Sequence, residues 1–334
     1  MKLWHKLGAS VLLTSFAAVA PPQFAQAQSV IKIDGSSTVF PIGEAVAEEF
    51  QISKKGKVRV TVGIAGTGGG FKRFCRGETD IANASRPILK EEMEACRAAG
   101  IKYLELPVAF DALTVVVNPS NTWVKSLTVA DLKKMWEPGA QQRITKWNQV
   151  RSEWPAQPLM LFGPGADSGT FDYFTEAVNG KSKASRGDYT ASEDDNVLVQ
   201  GVENNKNAIG YFGFAYYIGH KDKMRAVTIV NPKGQAVGPS IEAVNDGSYQ
   251  PLSRPLFIYV RETAVQRAEV KEFIEFYLTE GAELVKEVGY VPLPPQAYKL
   301  ALQHFNSKKL GTVFGGVPEV GVTIDALLAR EGKL

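Results

Sequence analysis

Histidine and cysteine are scarce in this chain: three histidines and two cysteines stand among 334 residues. That scarcity argues against metal centres built from Cys and His sets, and no His/Asp cluster has metal-ligand spacing. It also weighs against serine hydrolase or phosphatase chemistry. An attacking serine needs a general base within reach, and His220 and His304 lie in no recognisable motif. Long apolar runs are missing too, since none approaches the roughly 20 residues of a spanning helix. Charge of one sign is equally lacking, with 38 Lys and Arg against 35 Asp and Glu. A balance that even speaks against nucleic acid as a partner. There is no low-complexity segment and no short-period repeat, which removes solenoids from consideration.

What is present begins with a leader. Lys2 and Lys6 give a positive start, Val11 to Ala20 an apolar middle, and Ala25-Gln26-Ala27 a small-x-small cleavage site, the pattern of a secretory signal peptide over residues 1–27. No cysteine near that site could take a lipid, so an exported protein without direct membrane insertion is expected. Removing Lys2 and Lys6 leaves 36 basic against 35 acidic residues. In an oxidising compartment the even pair Cys75 and Cys96 is expected to be bridged. The remaining length exceeds the usual ~100–200 residues of one domain, so two lobes are the default.

The stretch that organises the chain runs from Ile64 to Arg86. Gly66, Gly68, Gly69 and Gly70 let backbone N–H groups converge, Thr67 adds a hydroxyl, and Phe71, Phe74 and Cys75 at i, i+3, i+4 predict a helix behind them. A helix N-terminus favours negative charge through its unpaired N–H groups and its dipole. Asp80 to Ala84 reads as a strand returning Ser85 and Arg86 to the same place. Two further turns share this design. Val30 to Ile33 is a strand followed by Ser36-Ser37-Thr38-Val39, where Ser37 or Thr38 is expected to cap a helix containing Pro41. Leu159 to Phe162 is a strand that delivers Asp167-Ser168-Gly169-Thr170 to another helix. Phe110 to Asn118 reads as one buried strand with Asp111 at its start, and a carboxylate entering such a strand needs a partner or a function. Val265 to Val288 is helical, with Gly281 either interrupting it or separating two helices.

Three hydroxyl-bearing turns at helix starts would together enclose a small tetrahedral oxyanion, and Arg86 could add a planar fork for two of its oxygens. Asp-Gly-Ser-Ser-Thr-Val, Gly-Thr-Gly-Gly-Gly-Phe, Asp-Ile-Ala-Asn-Ala-Ser-Arg-Pro, Ile-Thr-Lys-Trp-Asn, Asp-Ser-Gly-Thr-Phe and Gly-Tyr-Val-Pro-Leu-Pro, in this order along nearly the whole chain after the leader, resemble the phosphate-binding proteins of phosphate ABC transporters, the PstS family. The resemblance implies an α/β, two-lobed periplasmic-binding-protein fold of type II, each lobe a mixed sheet flanked by helices, with two chain crossovers as a hinge. One lobe would hold 29–113 and 254–334, the other 114–253. It also implies a periplasmic, non-enzymatic protein without cofactor or metal, expected as a monomer, that binds inorganic phosphate and delivers it to ABC transporter permease subunits.

Carried over by position, Ser37, Thr38 and Val39 with their backbone, Thr67, Ser85, and Ser168, Gly169 and Thr170 match the family's phosphate contacts. Two departures stand out. Arg86 occupies a place where many members carry aspartate, and Pro164 one where many carry arginine. Arg86 is therefore expected to supply the cation, and Asp167 or Asp111 to accept the proton of the phosphate O–H. The plainer reading of Asp167 is a salt bridge to Arg86 or a turn bond. Sulfate or molybdate in place of phosphate, and a secreted serine hydrolase, are the alternative functions.

Overall fold

The computed structural model describes residues 28–333; the expected leader and its cleavage site lie outside them. The chain opens as strand, helix, strand, helix: β1 (Ser29–Gly35), α1 (Phe40–Ser53), β2 (Val58–Val62), α2 (Gly66–Cys75), β3 (Ile81–Ala84) and α3 (Lys90–Ala98). Then β4 (Tyr103–Ala112) gives way to β5 (Thr114–Val117), followed by β6 (Ser126–Leu127), α4 (Val129–Trp136), β7 (Met160–Pro164), α5 (Gly169–Asn179), β8 (Thr190–Ser192), α6 (Asp195–Glu203), β9 (Ala208–Phe212) and α7 (Phe214–Gly219). The chain goes on through β10 (Arg225–Ala226), β11 (Thr228–Val230), β12 (Ala236–Val237), α8 (Ile241–Asn245), β13 (Ser253–Arg261), α9 (Ala268–Glu287), β14 (Val291–Pro292), α10 (Pro295–Asn306) and α11 (Ile324–Glu331).

Two mixed sheets result. The first runs β14-β4-β13-β3-β1-β2, with β1 parallel to both β2 and β3 and with β13 antiparallel to β3 and β4. The second runs β10-β5-β9-β7-β8, and a small third sheet, β12-β11-β6, accompanies it. Parallel strands need crossover helices on their faces, and α1 and α2 meet that need in the first sheet. Phe71, Phe74 and Cys75 put one face of α2 into the core, while Phe50 of α1 packs edge-on to Phe273 of α9 at 5.2 Å between ring centroids. In the second sheet Trp136 meets Phe174 and Tyr211 edge-on, and those two rings stack on each other at 3.8 Å.

Three local readings are corrected. The apolar run from Phe110 to Asn118 is two strands rather than one: β4 ends at Ala112 in the first sheet and β5 starts at Thr114 in the second. Leu113 between them donates its N–H to Leu252, which precedes β13, so the two crossing segments lie bonded side by side. α9 runs unbroken through Gly281, whose buried position on the helix faces the core. The glycines after Ala65 form the first turns of α2 itself. Close approach explains them: a Cβ on Gly70 would lie 2.5 Å from Gly35 Cα, and one on Gly66, at φ +72°, would lie 2.5 Å from the Asp167 carbonyl oxygen.

Cys75 and Cys96 form a disulfide that ties the C-terminal end of α2 to α3. Among the described residues no helix is long and apolar enough to cross a membrane.

Candidate functional site

Where the two sheets face each other, the three hydroxyl-bearing turns converge. Thr38 precedes α1 and is fully buried, but neither it nor Ser37 caps the helix. The N-cap is Val39, with no side-chain cap bond, and its N–H reaches the Ser36 hydroxyl at 3.4 Å. Thr38 Oγ1 is thereby left to point across the cleft, 3.0 Å from Thr170 Oγ1. Thr67, in the first turn of α2, lies with its hydroxyl 3.2 Å from Ser85 Oγ and accepts the Ser85 N–H at 3.2 Å. Ser168 is the N-cap of α5, accepting the Thr170 N–H, and Gly169 is pressed against the opposite wall. A Cβ there would stand 2.4 Å from Thr67 Oγ1 and 2.6 Å from Ser85 Oγ. Ser37 enters through its carbonyl, which accepts the Tyr216 O–H at 2.9 Å.

The cation in this cluster is Arg254, which the sequence reading did not place in the site. Its side chain is completely buried. Nε and Nη2 donate to Asp111 Oδ2 at 3.1 and 2.9 Å, Nη1 to the carbonyls of Ser85 and Gly169 at 3.2 and 3.3 Å, and Nη2 also to the hydroxyls of Thr170 at 2.8 Å and Thr38 at 3.3 Å. One guanidinium thus touches two of the three turns, at Thr38 and at Gly169 and Thr170, and the Ser85 segment that Thr67 of the third turn holds. Its position follows from the sheet register, in which Arg254 of β13 stands directly opposite Asp111 of β4. Asp111 Oδ1 accepts the N–H of Phe214, at the start of α7. Burial pushes the Asp111 carboxyl above its ordinary range, against the pull of Arg254 and the Phe214 N–H.

A second buried carboxylate stands nearby. Asp195 opens α6 and is fully buried, and neither oxygen makes a well-formed hydrogen bond among the described residues. Burial raises it to about 7, while the Arg254 charge and the Gly213 N–H pull the other way and Asp111 adds repulsion. Gly213 itself abuts Thr38, since a Cβ on it would lie 3.0 Å from Thr38 Cγ2. Nothing in the sequence marked Asp195 beyond its place at a helix start.

Two of the residues expected in the cluster stand elsewhere. Arg86 is buried, but its fork is occupied: Nη1 and Nη2 each donate to Glu92 at 2.8 Å, Nε donates to Asp172 at 2.7 Å, and Nη1 also reaches the Pro87 carbonyl. Asp167 is half-exposed and pairs with Lys72 at 2.6 Å, not with Arg86, although its carbonyl accepts the Gly68 N–H at 2.7 Å. The histidines stay clear of serine chemistry. His304 Nδ1 lies 3.1 Å from Glu331 Oε2 and His220 Nδ1 2.9 Å from the Tyr216 carbonyl oxygen.

Two sheets joined by two side-by-side crossings, with hydroxyls, helix starts and one buried arginine between them, define a two-lobed α/β solute-binding protein. The model of the PBP superfamily domain matches residues 22–280, and the chain belongs to that family. More particularly, it is 56% identical over 97% of its length, and 96% of the other chain, to the protein SphX of Synechococcus elongatus. It is 37% identical to the phosphate-binding protein PstS of Staphylococcus saprophyticus, covering 89% of this chain and 92% of that one. Among solved structures it resembles a candidate phosphate ABC transporter substrate-binding protein from Clostridium perfringens with bound phosphate, at 29% identity and a TM-score of 0.67, over 80% of this chain and all of that one.

Proposed function

We propose that this protein captures inorganic phosphate between its lobes, in the periplasm, and hands it to the permease subunits of an ABC importer. The lobe boundaries that go with this reading are 29–113 with 254–334, and 114–253. The observation that carries it is the convergence of four buried hydroxyls, those of Thr38, Thr67, Ser85 and Thr170, with the fully buried Arg254–Asp111 pair. A buried arginine against hydroxyls and helix starts suits an oxyanion, because charge-assisted hydrogen bonds are the strong ones and cost no reorganisation when already in place. Thr38 and Thr170 touch at 3.0 Å; two hydroxyls donating to one phosphate oxygen at ~2.7 Å each stand ~4–5 Å apart. Binding then replaces this direct contact by two shared bonds, with a small parting of the lobes.

Asp195 favours phosphate over sulfate and molybdate. A carboxylate that titrates near 7 can accept the O–H of a protonated phosphate, whereas it repels an anion that carries no proton. This role passes to Asp195 because both oxygens of Asp111 are engaged by Arg254 and Phe214, and the Asp167 carboxylate is turned to Lys72.

Calorimetric titration of the phosphate-stripped protein with phosphate and with sulfate between pH 6 and 8.5 tests the reading. One-to-one phosphate binding is expected, with the preference over sulfate widening as pH rises through 7 and flattening in Asp195→Asn. Equal binding of sulfate across that range, or no phosphate binding, refutes it.

A further inference from the structure

Arg86 and Asp172 form a buried ion pair outside the hydroxyl cluster, and the pair runs from one side of the cleft to the other. Arg86 follows β3 of the first sheet and Asp172 lies in the first turn of α5, which follows β7 of the second. The Nε–Oδ2 distance is 2.7 Å, and the side chains are 4% and 2% exposed. On its own side Arg86 is held by Glu92 of α3 through two bonds of 2.8 Å. The Phe71 ring lies beneath the guanidinium, 5.8 Å from its centroid. Arg86 is therefore a prearranged cation whose Nε is aimed at the other lobe.

Two other polar contacts that cross the cleft, on the α2 side, are of a different kind. Lys72–Asp167 is exposed on both sides, so it is screened and weak. The Gly68 N–H to Asp167 carbonyl bond is neutral. Within the hydroxyl cluster buried Arg254 and Asp111 also reach across, but to neutral partners; of the ion pairs that cross the cleft among the described residues, Arg86–Asp172 is the one shielded from water.

We infer that Arg86 is a positioning residue for phosphate retention: with Asp172 it latches the lobes shut beside the site, and so sets how fast bound phosphate leaves. Arg86 need not touch the anion to do this. Opening the cleft separates Nε from Asp172 while the two bonds to Glu92 remain within one lobe, so the pair favours the closed form specifically. Asp172 Oδ1 has no hydrogen-bond partner among the described residues. One carboxylate oxygen is thus buried at a cost, which keeps the latch weak enough to reopen.

The inference rests on the phosphate reading above, and the experiment separates the two. Phosphate dissociation is followed by stopped flow with a phosphate-scavenging chase in the wild type, Asp172→Ala and Glu92→Gln. Lobe separation is measured by small-angle scattering on the same stripped and phosphate-loaded proteins. Loss of one charged, buried hydrogen bond predicts dissociation about tenfold or more faster in Asp172→Ala, with the association rate nearly unchanged and a more open stripped form. Glu92→Gln, which loosens the same guanidinium without removing the cross-lobe bond, is expected to stay within about threefold of wild type. Should Asp172→Ala not fold, Arg86→Lys keeps the charge beside Glu92, gives up the Nε bond and carries the same prediction. Unchanged dissociation, or equal acceleration by Asp172→Ala and Glu92→Gln, overturns the latch and leaves the phosphate reading standing. A wild type that binds no phosphate refutes that reading first, and the latch's role in release with it.

Discussion

Arg254→Lys puts the site to its sharpest test. Lysine keeps the positive charge opposite Asp111, so the buried pair survives and the ~3–5 kcal/mol cost of an orphaned partner is avoided. What goes is the fork. Arg254 now serves Asp111, the Ser85 and Gly169 carbonyls and the Thr38 and Thr170 hydroxyls at 2.8 to 3.3 Å, from both ends of a plane. An ammonium has three donors on one atom, and Asp111 claims at least one of them. Losing one or two charge-assisted bonds to an oxyanion, at ~1.5–3 kcal/mol each, weakens phosphate binding by about 2–4 kcal/mol, or roughly 30- to 1,000-fold. Calorimetry gives the affinity, and thermal unfolding of the stripped protein gives the structural part, expected as a modest fall. A phosphate affinity within threefold of wild type, together with a lowered melting temperature, would show that Arg254 only braces the hinge and that the anion sits elsewhere.

Three further perturbations probe other links. Gly169→Ala places a methyl group against Thr67 and Ser85 across the cleft, so phosphate affinity is expected to fall at least tenfold while the stripped protein melts within a few degrees of wild type; unchanged affinity would mean that the lobes do not close at this point. Replacing Cys75 and Cys96 together by serine opens a link between positions 21 apart and is expected to cost ~3 kcal/mol in denaturant unfolding, with reductant reproducing the loss in the wild type; no loss would remove the disulfide from the stability account. Glu331 is raised by burial to about 8, so the folded chain holds a proton that the unfolded chain has released, and stability falls as pH climbs from ~4.5 to 8; Glu331→Gln should flatten that slope in unfolding series at pH 5 to 9, and an unaltered slope would refute the assignment.

How far the sequence discloses this molecule depends on the range of the interaction. Local signals translate most directly: glycines and hydroxyls mark helix starts because the residues that permit close approach or supply a hydroxyl are contiguous in the chain, as in Thr67 in the first turn of α2 and Ser168 capping α5. The resemblance added the two-lobed α/β fold. Placing the cation of the cluster required register. Arg86 sits beside Ser85 in the chain and so invited a place in the cluster, yet Glu92, six residues on, occupies its fork. Arg254 lies 143 residues beyond Asp111 and meets it only because β13 pairs with β4. One signal could have found it. Asp111 and Arg254 are each a charge set near the end of a largely apolar strand, and neither can be buried alone without a heavy desolvation cost. Opposite charges in two such strands are a reason to pair the strands in antiparallel register at that point. Their pairing puts the positive charge at the hinge, where both lobes can share it, and frees Arg86 to hold the cleft's edge.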